Sequence, residues 1–137
     1  MPFRILVADD DDNIRKSHKF AVDAASALMK EKIVVVESGD SVDAWAKIKS
    51  ERFDLVIVDN DFKDREIHGH LPGIALIQLA RREGANRETP IVFCSAETFE
   101  GLKPMVEKFH AVHFPKDGYD IDRAAHLFAG LLTEKKE

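Results

Sequence analysis

Five short apolar runs recur along the chain, and each is separated from the next by a longer stretch whose apolar residues have helical spacing. The runs are Phe3 to Ala8, Ile33 to Val36, Leu55 to Val58, Ile91 to Phe93 and Ala111 to Phe114. A parallel strand that is covered by helices on both faces has such a continuous apolar sequence. The repeated order of strand and helix predicts an α/β fold, in which right-handed crossovers build a three-layer sandwich around one parallel sheet.

The stretches between these runs predict five amphipathic helices. Their expected starts, in chain order, are Asn13, a residue capped by Asp40 or Ser41, Ile74, Lys103 and a residue capped by Asp120. The first helix extends to about Lys30 and carries His18 in its apolar stripe. In the second helix, Val42, Trp45 and Ile48 are the expected inner positions. Gly84 is expected to end the third helix.

Size and charge exclude several classes of protein. A chain of 137 residues suits one domain, expected to span residues 1–137 without an output domain. The formal net charge of −5 lacks the basic footprint that direct nucleic-acid binding requires. The first apolar run is too short to enter a membrane, and the single cysteine, Cys94, cannot form an internal disulfide. We therefore expect a soluble, cytoplasmic protein in which Cys94 is a buried apolar residue.

Polar side chains follow four of the five predicted strands. Asp9 and Asp10 follow the first run, Asp59 the third, Ser95 comes shortly after the fourth, and Lys116 after the fifth. The carboxyl ends of parallel strands lie at one edge of the sheet, where open α/β sheets bind ligands. We therefore expect these five side chains to converge on one crevice.

The residue types at this crevice indicate metal-assisted phosphoryl chemistry. Three carboxylates brought together repel one another and take up protons unless a cation neutralises them. A hard divalent ion such as Mg²⁺ binds a few carboxylates together with a phosphoryl oxygen. Lys116 and the Ser95 hydroxyl would then contact the remaining phosphoryl oxygens. Such a site stabilises charge during phosphoryl transfer.

Four segments in this order resemble the response-regulator receiver domains of two-component signalling systems. They are VADD ending the first strand, DLVIVD ending the third, FCSA ending the fourth and FPK after the fifth. The resemblance covers essentially the whole chain. It implies a flavodoxin-like (βα)5 fold with a parallel sheet of order 2-1-3-4-5.

The resemblance also implies a role for each matching residue. Asp59 would accept the phosphoryl group, and Ser95 and Lys116 would contact it. Asp10, Asp59 and the backbone carbonyl of Asp61 would bind Mg²⁺, with Asp9 acting through water. The donor would be a sensor histidine kinase or a phosphotransfer protein, and the output would be contact with a downstream protein target. No enzymatic activity is expected beyond phosphoryl transfer to and from the protein's own aspartate.

The sequence departs from the family pattern in three places. The loop after Asp59 is unusually long, because Gly73 comes several residues late. Its charged segment from Phe62 to Leu71 is expected to be a partner-specific surface. Pro115 precedes Lys116 rather than following it, and His113 stands where many receivers carry a switching aromatic residue.

Other polar residues near these motifs receive separate predictions. Asp61 and Glu97 are acidic at positions that tune the lifetime of the phosphorylated state in the family. His68 and His70 lack a third ligand and are expected to be solvated. His18, His110 and His126 are expected in helical segments without a catalytic role.

Two other functions compete with the phosphoacceptor interpretation. Asp59-Asn60-Asp61 and Ser95 resemble two motifs of haloacid-dehalogenase-like phosphatases, but that family places its metal-binding acids after the nucleophile, whereas here Asp9 and Asp10 precede it. The second alternative is a receiver-like interaction module that signals without phosphorylation. The intact acids and lysine argue against it.

Overall fold

The protein is described here by a computed structural model that covers residues 2–60, 72–95 and 103–134. Strands and helices alternate along the chain as the apolar runs predict. The strands are β1 (Phe3–Ala8), β2 (Ile33–Ser38), β3 (Leu55–Asp59), β4 (Ile91–Ser95) and β5 (Ala111–Pro115). The helices are α1 (Asp12–Met29), α2 (Ser41–Ser50), α3 (Gly73–Arg82), α4 (Lys103–Lys108) and α5 (Ile121–Glu134).

All strand pairs are parallel, and the sheet order is β2-β1-β3-β4-β5. The flavodoxin-like topology is therefore confirmed. Four strands continue one or two residues beyond their apolar runs. In β2, for example, Glu37 and Ser38 still pair with Val7 and Ala8. Because β3 and β4 end on Asp59 and Ser95, these polar residues are held by the sheet itself.

Two hydrophobic cores separate the three layers. One core packs α2, α3 and α4 against one face of the sheet, and the other packs α1 and α5 against the opposite face. Successive residues of β3 alternate between these cores, since Val56 and Val58 contribute to the first and Leu55 and Ile57 to the second. All four are at most 1% exposed. Burial on both faces explains the continuous apolar sequence of this strand.

The helix caps agree with the sequence, but the inner face of α2 does not. Asp11 caps α1 through the Asn13 amide, and Asp40 caps α2 through the Asp43 amide. Val42, an expected inner position, is 43% exposed. The buried positions of α2 are Ser41, Ala44 and Ile48, with Trp45 half-buried at the margin of the core. Two of these three buried positions carry small residues, and the prediction for Val42 is wrong.

The edge of the sheet opposite the polar strand ends is closed by a buried asparagine. The Asn86 side chain donates to the carbonyl oxygens of Ile48 and Glu51, each at 2.6 Å, and accepts from the Phe53 amide at 2.8 Å. These bonds tie the connection before β4 to the connection before β3. In the part of the chain that the structure describes, no helix has the length and apolarity needed to cross a membrane.

Candidate functional site

Four strand ends bring the predicted polar residues to one edge of the sheet. Asp9 and Asp10 leave β1, and Asp59 and Ser95 are the last residues of β3 and β4. Lys116 follows β5 directly, and its amide donates to the Ser95 carbonyl oxygen at 2.7 Å. The sheet register thus places the lysine beside the end of β4. The strand ends therefore bring these residues to one edge of the sheet.

The three carboxylates approach closely. Asp9, Asp10 and Asp59 each have an oxygen within 4.8 Å of an oxygen of the other two. Asp9 and Asp59 are buried, with side chains only 1% exposed. The Lys116 ammonium group lies between these two, with Nζ 2.5 Å from Asp59 Oδ1 and 3.1 Å from Asp9 Oδ2. The lysine is therefore the counter-charge of a buried acidic cluster.

Burial and charge oppose each other at this cluster. Burial raises the pKa of the Asp9 carboxyl, although the Asp11 amide and the Lys116 charge act in the opposite direction. Burial alone would lower the pKa of Lys116, but its hydrogen bond to Asp59 and the charges of Asp9 and Asp59 outweigh this effect and raise it. Lys116 therefore stays charged, and burial opposes the ionised form of Asp9.

This donor set fits a divalent cation. If the three carboxylates are ionised, one lysine leaves two of their negative charges uncompensated. The ligands are carboxylate oxygens, which hard cations prefer. A bound cation would favour the ionised form of Asp9 and so oppose the effect of burial on its pKa. Among the described residues, these acids could hold a metal, as the sequence predicts.

Backbone contacts fix the first acid in place. The Asp11 amide donates to Asp9 Oδ1 at 2.9 Å, which orients the carboxylate. Arg15 on α1 donates to the Asp9 carbonyl oxygen at 2.5 Å and also bonds Glu37 at the end of β2. The guanidinium group therefore ties three segments together behind Asp9. Nothing in the sequence pattern distinguishes Arg15 from an ordinary surface arginine.

The start of α3 presses against the backbone of the third acid. The Gly73 amide donates to the Asn60 carbonyl oxygen at 3.1 Å. A Cβ atom added at Gly73 would overlap the Asp59 carbonyl oxygen and would lie 2.9 Å from Asn60 Cα. Only glycine allows this close approach. Gly73 therefore contributes to the site although it carries no side chain.

A buried histidine and a tyrosine form a hydrogen bond next to this site. His18 Nδ1 lies 2.6 Å from Tyr119 Oη, and His18 is 1% exposed. Burial, assisted by the charge on Lys116, lowers the pKa of His18 to about 3. Burial also raises the pKa of Tyr119. Both rings are therefore neutral near pH 7, so the bond joins two uncharged groups.

The lowered pKa of His18 predicts acid-induced destabilisation. The unfolded chain protonates this histidine below its ordinary pKa of 6.5, whereas the folded chain does so only near pH 3. The contribution of neutral His18 is complete above pH 6.5 and declines as the pH falls towards 3. Between pH 8 and pH 5 the free energy of unfolding should fall by about 2 kcal/mol from this group. Urea unfolding of wild type and His18→Leu across this range isolates the effect, and parallel pH profiles would contradict it.

The remaining predicted residues fall into two groups. Cys94 is fully buried, and burial raises its pKa to about 12, so the thiol stays protonated. His113 is largely exposed on β5, and His110 lies in a turn after α4 rather than in a helix, with φ of 56°. The other predictions concern positions outside the described residues: Asp61, Glu97, His68, His70 and the segment from Phe62 to Leu71.

The fold and the acidic cluster define a class of doubly wound α/β protein that carries carboxylates at the carboxyl edge of its sheet. Within this class, the sequence model of the response regulator receiver domain matches residues 5–115. The chain therefore belongs to the response regulator receiver domain family, which serves two-component signalling systems. Among curated proteins, none matches the sequence significantly.

Solved structures support the same fold. A receiver domain protein from Methanospirillum hungatei superposes with a TM-score of 0.78 at 18% identity, covering 99% of this chain and 98% of that one. The receiver domain of AraT from Geobacillus stearothermophilus gives a TM-score of 0.77 at 18% identity, covering 99% and 97%. A Francisella response regulator receiver domain gives 0.68 at 22% identity, covering 98% of each chain. At these identities the likeness establishes the fold alone.

Proposed function

We propose that this chain is a phosphoacceptor that takes a phosphoryl group onto Asp59 in a two-component phosphorelay. One observation carries the proposal. Asp59 belongs to the three-carboxylate cluster and also makes the shorter of the two carboxylate contacts to Lys116, at 2.5 Å against 3.1 Å for Asp9. An incoming phosphoryl group at this carboxylate would meet the lysine on one side and the acidic, metal-accepting side of the crevice on the other.

The chemical step joins an Asp59 carboxylate oxygen to phosphorus. When the donor is a phosphohistidine, the P–N bond breaks as the O–P bond forms, and the departing imidazole nitrogen takes up a proton. The product is an acyl phosphate, which water later hydrolyses to the free carboxylate and inorganic phosphate. The transfer of the phosphoryl group to Asp59 and its later removal from Asp59 are the only catalysis that we propose.

The surrounding residues act by holding charge in fixed positions. Lys116 is already paired with Asp59, so its ammonium group can move from the carboxylate to a phosphoryl oxygen over a short distance. The Ser95 hydroxyl lies at the end of the neighbouring strand and supplies a donor to another oxygen. Pre-positioned charges of this kind stabilise the transition state more effectively than mobile water does.

Mg²⁺ is the cofactor that we propose for the acidic cluster. Asp10, Asp59 and the backbone carbonyl of Asp61 would hold it, and Asp9 would act through water. The ion supplies positive charge to the phosphoryl oxygens during transfer. Asp9 is the most buried of the acids that leave β1 and is held by the Asp11 amide, which suits an indirect role.

We also propose two kinds of partner protein, one that donates the phosphoryl group and one that receives the signal. A sensor histidine kinase or a phosphotransfer protein would supply the phosphoryl group, and an as yet unidentified protein would receive the signal by direct contact. A cytoplasmic location is likewise a prediction.

Incubation with acetyl phosphate and Mg²⁺ tests the proposed function. We expect intact-mass analysis to find one added phosphoryl group, which hydroxylamine removes because it cleaves acyl phosphates. Steady release of phosphate from unrelated phosphomonoesters would instead support the haloacid-dehalogenase-like alternative. A folded protein that takes up no phosphoryl group would support the phosphorylation-independent module.

Magnesium binding should depend on the two acids that ligate the ion directly. We expect Asp10→Ala and Asp59→Ala each to weaken binding at least about tenfold, because a hard ion with few protein ligands loses one of them. Wild type should also gain about 2.7 kcal/mol of stability at a Mg²⁺ concentration 100 times the Kd. Calorimetry and thermal unfolding measure these effects. Asp23→Ala on the exposed side of α1 is the control, and unchanged affinity in both site variants would place the ion elsewhere.

A further inference from the structure

The connection between β5 and α5 has two anchors, one on each side of the exposed pair Asp117 and Gly118. Its start is fixed by the Lys116 amide, which donates to the Ser95 carbonyl oxygen at 2.7 Å. Asp117 and Gly118 follow, and Gly118 adopts a positive φ of 62°. The next residue, Tyr119, turns inward to reach His18. Because the pair between them is exposed, the two anchors position this loop.

The tyrosine is held by a closely packed group of rings. Tyr119 meets Phe114 of β5 edge-on, with ring centroids 5.2 Å apart, and meets His18 in the same way at 5.1 Å. Phe128 of α5 lies 6.4 Å from the His18 ring. These contacts fix the ring planes and so direct the hydroxyl at His18 Nδ1. Edge-to-face aromatic pairs of this kind prefer defined orientations.

In the described part of the chain, His18 makes no second hydrogen bond that could replace the bond to Tyr119. His18 Nε2 is buried without a hydrogen-bond partner among the described residues, so the bond to Tyr119 is the one hydrogen bond of this imidazole in that part of the chain. A buried polar ring costs stability that an apolar residue would not cost. His18 lies among Ala21, Val22 and Ala25 on the buried face of α1, where a leucine would suit the core.

We propose that the His18–Tyr119 hydrogen bond is a positioning device that holds the Lys116 ammonium group on Asp9 and Asp59. It joins α1, which begins shortly after Asp9, to the loop that follows Lys116. The lysine and the acids are thus fixed to each other through the helical layer as well as through the sheet. His18 and Tyr119 are positioning residues that act through the loop and α1, and their effect on phosphoryl transfer rests on the proposed function.

Two substitutions at His18 introduce side chains of similar size and distinguish an effect on positioning from an effect on stability. His18→Leu removes the hydrogen bond but suits the buried face, whereas His18→Asn places an amide near the position of Nδ1 and can bond Tyr119 again. Asparagine disfavours a helix interior and buries more polar surface, so this variant should be the less stable of the two. A positioning role predicts the opposite order for the rate of phosphorylation. His18→Asn should be labelled faster than His18→Leu.

The expected effect on the labelling rate is that of losing one ordinary hydrogen bond. We expect Tyr119→Phe and His18→Leu each to slow labelling of Asp59 by acetyl phosphate about fivefold at saturating Mg²⁺. The double variant should be no slower than either single variant, because both remove the same interaction. Mg²⁺ affinity should not change, since the carboxylates are intact. Val22→Ala, in the same buried face, is the control that lowers stability without touching the bond.

The Lys116 ammonium resonance provides a readout that does not need phosphorylation. Exchange of its protons with solvent should be slow in wild type and His18→Asn, and faster in Tyr119→Phe and His18→Leu. If the wild-type protein is not labelled at all, the proposed function fails. The order of the proton-exchange rates among the variants then decides by itself whether the hydrogen bond positions Lys116. The proposal would be overturned if the labelling rates and the proton-exchange rates followed thermal stability across all variants. It would also be overturned if both rates matched those of the wild type in every variant.

Discussion

Asp59→Asn should reduce phosphoryl labelling by acetyl phosphate to background. The substitution keeps the size of the side chain and replaces the attacking carboxylate by an amide, which is a far poorer nucleophile towards phosphorus. Asp9 and Asp10 remain, but Asp9 is held by the Asp11 amide and the lysine, and Asp10 is the proposed direct ligand of the ion. Neither acid should replace Asp59 as acceptor.

The fold should survive this substitution, which keeps the experiment interpretable. The change removes one of three mutually repelling carboxylates, and Lys116 would keep its contact with Asp9 at 3.1 Å. Intact-mass analysis over time, with circular dichroism on the same samples, measures both properties. Asp23→Asn, at an exposed acid of α1, should label like wild type. Equal labelling of Asp59→Asn would move the acceptor to another residue and end the proposed assignment.

Gly73→Ala should damage both stability and labelling, although it adds a single methyl group. The new Cβ would overlap the Asp59 carbonyl oxygen, so the backbone of α3 or of β3 has to move. Overpacking in a buried region costs about 1–3 kcal/mol, and a clash with backbone belongs at the upper end. The displaced backbone carries Asp59, so we expect labelling to slow by at least about tenfold, as a shift of roughly 1 Å or less can do.

A second glycine provides the matched control. A Cβ added at Gly130 in α5 meets nothing within 4 Å. Gly130→Ala should therefore raise the free energy of unfolding by about 0.5–1 kcal/mol, because alanine favours a helix more than glycine does. Urea unfolding and timed labelling of both variants compare the two sites. Wild-type stability in Gly73→Ala would mean that the backbone around Asn60 accommodates a side chain.

The sheet could be predicted because its signal is local. Each strand is a continuous apolar run, and burial between two helical layers requires such a run. The apolar run ends at Val36, whereas the polar residues Glu37 and Ser38 still pair with β1. At an edge strand, pairing depends on backbone hydrogen bonds and allows polar side chains. The apolar character of Val42 suggests an inward position, whereas the close packing of α2 favours Ser41 and Ala44.

The residues at the strand ends could be predicted, but the residues that hold them in place could not. The polar residues of the crevice are recognisable because each follows an apolar run, and parallel strands end at one edge. Arg15 and Gly73 act through contacts with backbone atoms, which leave no pattern in a single sequence. His18 and Tyr119 are 101 positions apart. A histidine within an apolar stripe indicates burial, but nothing in the sequence identifies its partner.

The hydrogen bond from the Gly73 amide to the Asn60 carbonyl oxygen closes the chain at the base of residues 61–71. The chain leaves the sheet and returns to α3 at neighbouring points, so the length in between does not alter where either end is attached. Doubling the length of a closed loop adds only about 0.6 kcal/mol of entropic cost. Changes of length between Asn60 and Gly73 should therefore cost little folding stability. If the segment from Phe62 to Leu71 is the partner-specific surface that the sequence predicts, a new partner could be accommodated there without any change at the strand ends that carry the acids.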